Sequence, residues 1–106
     1  MSAAAGANPH RGEVSLLLDG TPYVLRPSFG ALVAAEEELG PLFGLVERAS
    51  GGELKLGEMV GLFWHCLAHP GDHSREAFAE AVLRAGLAAC APALRALLVQ
   101  VLKGGG

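Results

Sequence analysis

His65, Cys66, His69 and His73 form the only group along the 106 residues whose types suit a metal ion. His65 and His69, four residues apart, fall on one face if that stretch is helical, as two zinc ligands would. The spacing of the other two works against a closed site. Cys66 points about 100° away from His65 on a helix, and Pro70 releases His73 into a loop. No second Cys-His pair completes a tetrahedral shell, so surface histidines beside a buried thiol are the favoured reading, a small zinc-binding regulator is the remote alternative, and no metal or other cofactor is expected. Glu36, Glu37 and Glu38 are the densest carboxylates, but successive helical positions fan around the axis and do not converge on one proton. They read as a solvated helix face near a C-terminal end, where acidic charge opposes the macrodipole. Gly51-Gly52 lacks the spacing and the lysine of a phosphate loop, and Ser74 reads as a helix cap. No catalytic constellation emerges, so an enzyme is not expected.

The elements that would carry these residues follow from periodicity. Two short apolar runs flank Asp19-Gly20, a dipeptide suited to the positive φ angles of a type I′ turn, which predicts a hairpin over residues 13–26. A two-residue turn pairs Leu18 with Thr21, Leu16 with Tyr23, Val14 with Leu25 and Glu13 with Arg26, opposite charges closing the open end. Val14, Leu16, Leu18, Tyr23 and Leu25 then share one face, and Ser15, Leu17, Pro22 and Val24 the other. Pro22 blunts the outer edge of its own strand, so the edge left open is that of residues 13–18.

Helices are expected at about 28–39, 41–49, 56–68, 75–85 and 92–102, from their apolar stripes and stop signals. Ser28 and Ser74 serve as N-caps, Gly40 as a C-terminal stop, and Pro41 and Pro92 as first-turn prolines. The fold class is α+β, a hairpin packed on four or five helices. Its expected core is Val14, Leu16, Tyr23, Leu25, Phe29, Leu32, Leu39, Phe63, Leu67, Phe78, Val82, Leu94 and Leu98. Residues 1–11 read as a flexible arm with nothing to bury, and 12–103 as a single domain.

A hydrophobic content of 51% with 18% charged residues excludes disorder for the bulk. The 18 alanines and 15 glycines make each buried position modest in area. A net charge of -3 with no lysine or arginine run gives no basic field, so nucleic acid is not an expected partner. The lack of Ile and the six Arg against two Lys read as the compositional habit of a high-GC bacterium; nothing reads as a signal peptide or a membrane span, so a bacterial cytoplasmic protein without a membrane partner is expected. Binding remains. The hairpin edge at Glu13, Ser15 and Leu17, with Val24 and Arg26, could pair with another chain. Leu62 and Trp64 widen helix three beyond one stripe and are further partner-contact candidates.

Asn8-Pro9-His10-Arg11-Gly12-Glu13, Leu18-Asp19-Gly20, and Leu25-Arg26-Pro27-Ser28-Phe29 with Ala31-Leu32 and the acidic Glu36 to Leu39 together resemble one known family. Gly57-Glu58-Met59-Val60, Phe63-Trp64 and Glu80 to Gly86 continue the likeness. The family is that of the small gene transfer agent proteins, related to phage tail assembly chaperones and also labelled tail tube components. The resemblance implies a non-enzymatic role in tail morphogenesis, with tape-measure or tail tube proteins as partners and a homo-oligomer as a further form. A chaperone suits the wide apolar helix better than a tube part does, because one hairpin offers little sheet to continue between subunits. Association with phage-like particles is implied, and the family brings no catalytic residues.

Overall fold

The computed structural model describes residues 12–71 and 73–103; the expected arm over 1–11 lies outside the described residues. Asp19 and Gly20 adopt φ values of 50° and 82°, the left-handed pair that a type I′ turn requires. That turn sets the register of β1 (Val14–Leu18) against β2 (Thr21–Leu25), with Val14 opposite Leu25, Leu16 opposite Tyr23 and Leu18 opposite Thr21. Val14, Leu16, Leu18 and Leu25 are buried, whereas Ser15 and Leu17 face outward. A two-stranded hairpin is marginal by itself, and here its apolar face is covered by helices.

Five helices follow: α1 (Phe29–Leu39), α2 (Leu42–Ser50), α3 (Leu56–Cys66), α4 (Arg75–Ala85) and α5 (Leu87–Lys103). The chain is α+β, a hairpin followed by a helical body. The Ser28 and Ser74 hydroxyls accept the N–H groups of Ala31 and Ala77, satisfying otherwise unpaired donors in the first turns of α1 and α4. Helix α3 is the central element. Met59, Val60, Leu62, Phe63 and Cys66 are buried on several of its faces, between α1 on one side and α4 on the other. Helix α5 lies against β1, with Cys90, Ala93 and Leu97 facing inward.

Four expectations need correction. Phe29 is not core but 85% exposed. It lies about 120° around α1 from the fully buried Ala35, at 3.6 residues per turn, because α1 turns its small-residue side toward α3. Pro92 does not open α5, which begins at Leu87. Its alanine-rich first turns favour helix, and the proline's missing N–H removes only the bond to Ala88. Helix α3 ends at Cys66 rather than residue 68 because Leu67 turns extended and bridges Leu25. Arg26 donates its N–H to the Cys66 carbonyl at 2.6 Å and Ala68 donates to that of Val24 at 2.9 Å, so the outer edge of β2 is occupied. Finally, Tyr23, Leu32, Leu39, Leu67, Leu94 and Leu98 are half-buried and pack around the core rather than within it, and the buried centre of α5 is Leu97.

Candidate protein-contact surfaces

The histidine and cysteine group disperses. His65 turns its Nε2 to the Glu38 carboxylate at 2.7 Å, tying α3 to α1. Arg75, at the start of α4, clasps the same carboxylate through both terminal nitrogens, at 2.7 and 2.5 Å. The Arg75 guanidinium, followed by His65, holds the Glu38 carboxyl down to about 2. Gly61 makes room for this crossing: a Cβ there would lie 2.8 Å from an Arg75 terminal nitrogen. Cys66 is buried in apolar surroundings, and its desolvated thiol is pushed up to about 12. His69 is exposed in the loop after α3, and the His73 ring stands 5.9 Å from that of Tyr23. Among the described residues no three of His, Cys, Asp and Glu come together as a metal shell would need.

The acidic stretch is more structured than a solvated face. Besides the Glu38 clamp, a Glu36 carboxylate oxygen accepts the Leu42 N–H at 3.1 Å and so supports the start of α2, where Pro41 supplies no side-chain cap. Glu37 is exposed.

The hairpin candidates separate into two groups. Glu13 is 8% exposed, and its carboxylate receives Arg26 at 2.6 Å, the cross-strand pair read from the register. Its side chain therefore closes the open end of the hairpin. Val24 is half-buried and its carbonyl already accepts Ala68. Ser15 is exposed and Leu17 is 58% exposed; these two remain available.

Leu62 is not a contact residue, being 1% exposed within the core. Trp64 is half-buried with its ring 6.0 Å from that of Phe78, which in turn meets Tyr23 edge-on at 5.6 Å. Their extra breadth on α3 reflects burial on several sides, the condition under which a helix is apolar nearly all round.

Sequence reasoning missed a further apolar surface. Helix α2 packs on α1, and between α2 and α5 lie two adjoining apolar hollows, here called the trough, that share Val46 and Leu102 as lining residues. One part, about 210 Å³, is walled by Leu32, Leu42, Phe43 and Val101; the other, about 520 Å³, by Ala49, Leu94, Leu98 and Val99. Phe43, 78% exposed, stands on its rim; Glu36 also lines the first part and Arg95 the second. The available signal was the run Leu42, Phe43, Leu45, Val46: one buried stripe on so short a helix has no place for Phe43 once Leu45 takes the core.

No single helix among the described residues is long and apolar enough to cross a membrane. The described residues form an α+β fold that bears an apolar trough. Residues 11–104 match the family model described as phage tail tube protein, GTA-gp10. The chain belongs to that family, a group of phage-tail proteins of the gene transfer agent type. No curated protein and no solved structure matches it.

Proposed function

We propose that this chain is a structural component of the tail of a phage-like gene transfer agent particle, working through protein contacts and without catalysis. The observation that carries the reading is the family match, which covers residues 11–104 under a tail tube description. It favours the structural role over the chaperone role that the wide apolar helix and the single hairpin suggested. The trough between α2 and α5 supplies the contact surface, since large apolar side chains there stand in water until a partner covers them. Its neighbours are other tail proteins, and its location is the bacterial cytoplasm until it enters the particle.

The test is recovery of the chain from finished particles after co-expression with the adjoining tail genes. Phe43→Glu places a charge on the trough rim, and because Phe43 is 78% exposed, stability should stay within about 0.5 kcal/mol of the parent. The structural reading expects the parent in particles and the variant left behind. A chain that binds tail subunits during assembly but is missing from purified particles is a chaperone instead.

A further inference from the structure

The trough carries a projection and a recess on one surface. Phe43, 78% exposed, stands on the rim and lines the first part only, while the second part is a hollow of about 520 Å³ lined by the small side chains of Ala49, Ser50 and Ala91. A cavity of about 150 Å³ holds a benzene ring, so this hollow has room for a phenylalanine side chain. The two parts also differ in charge. Glu36 lines the first and Arg95 the second, and both are exposed. Arg26, Arg48, Arg75 and Arg84 each meet a carboxylate, whereas Arg95 has no such partner among the described residues. Glu36 accepts the Leu42 N–H through one oxygen and meets no cation among the described residues.

We propose that a second copy of this chain covers the trough, related by a two-fold axis passing near Val46 and Leu102. These two residues line both parts, so rotation about them lays the first part of each copy over the second part of the other. Each Phe43 then enters the partner's hollow, and each Glu36, on the same part as Phe43, comes toward the partner's Arg95. The acid and the base that find no mate within one chain are thereby paired, and Val99 and Leu102, 46% and 55% exposed, leave water. An uncharged apolar partner would cover Arg95 without a carboxylate, at a desolvation cost; a second copy brings a carboxylate with the ring that fills the hollow. Projection and recess adjoin on one face, so the exchange is reciprocal and closes at two. An open head-to-tail array would need them on different faces. The inference rests on the reading of the trough as the contact surface of a tail protein, and it names the partner.

The mass of the purified chain in solution is measured against concentration for the parent, Phe43→Glu and Arg95→Glu. The parent is expected to pass from 10.9 kDa to twice that mass and to grow no further. Phe43→Glu should weaken the dimer at least about thirtyfold, as loss of a central aromatic anchor does. Arg95→Glu sets like charges against each other across the interface and should weaken it at least about tenfold. Both positions are exposed, so the helical circular dichroism signal should stay that of the parent. Phe43→Ala removes the ring without adding charge and serves as the second variant should the glutamate disturb α2. A monomer at all concentrations overturns the proposal, as does growth beyond two copies or a dimer that either charged variant leaves intact. The tail reading is separate from these outcomes, since it stands or falls on recovery of the chain from finished particles.

Discussion

Leu62 tests whether α3 is a core helix or a partner surface, because the two readings differ by several kcal/mol for one substitution. Its side chain is 1% exposed, and its helix is packed against α1 and α4. Leu62→Ala removes the transfer free energy of the lost methyl and methylene groups and leaves a cavity that close-packed neighbours refill only partly. Measured leucine truncations of this kind cost about 2–5 kcal/mol, and complete burial places Leu62 near 3 kcal/mol. Domains of this size hold only about 5–15 kcal/mol in total, so the loss is a large part of the whole. It corresponds to a drop in Tm on the order of 12–24 °C. The assay is urea unfolding followed by circular dichroism, with the single Trp64 beside Phe78 as an independent fluorescent probe. Agreement of the two transitions establishes two-state behaviour, and an unchanged slope assigns the midpoint shift to stability. A loss under about 0.5 kcal/mol, the value for an exposed position, refutes the packing argument for α3 and returns Leu62 to the surface.

Acid should weaken the three-helix clamp. The Glu38 carboxyl is depressed from 4.5 to about 2 by Arg75 and His65, so its contribution is present above pH 4.5 and is lost as pH falls toward 2. Because Glu38 is exposed, solvent screening reduces that contribution to about 1 kcal/mol or less. Glu38→Gln should be less stable than the parent at pH 7, with the difference closing across this window; equal pH profiles in urea melts would contradict the clamp. Cys66, its thiol raised to about 12 by burial, should resist a thiol-specific reagent in the native state and react once urea opens the domain. Modification of Cys66 in the folded protein, mapped by mass spectrometry, would show that the α3 core opens more readily than its packing implies.

Much of this protein is determined locally and could be read before any coordinates. Asp19-Gly20 dictates the turn through its tolerance of positive φ, and the turn dictates the register down to the Glu13–Arg26 pair. Ser28, Ser74 and Gly40 bound their helices through hydrogen bonds and dihedral angles that span only a few residues. The resemblance carried by Leu25 to Leu32 and its flanking motifs pointed to the tail family that the match over 11–104 establishes.

Tertiary structure decided whatever depended on which face meets which neighbour. Periodicity describes a stripe but not its depth, so Phe29 and Leu62, both plausible on either side, exchanged places once α1 turned Ala35 inward and α3 became central. Glu38, His65 and Arg75 meet across three helices, a juxtaposition that no local spacing encodes and beside which Gly61 leaves space for the Arg75 guanidinium. The trough likewise depends on α2 packing on α1 with α5 across from it, a placement no local pattern sets. Local chemistry determined the elements of this chain; the long-range packing of those elements determined which of its apolar residues became core and which were left to meet other proteins.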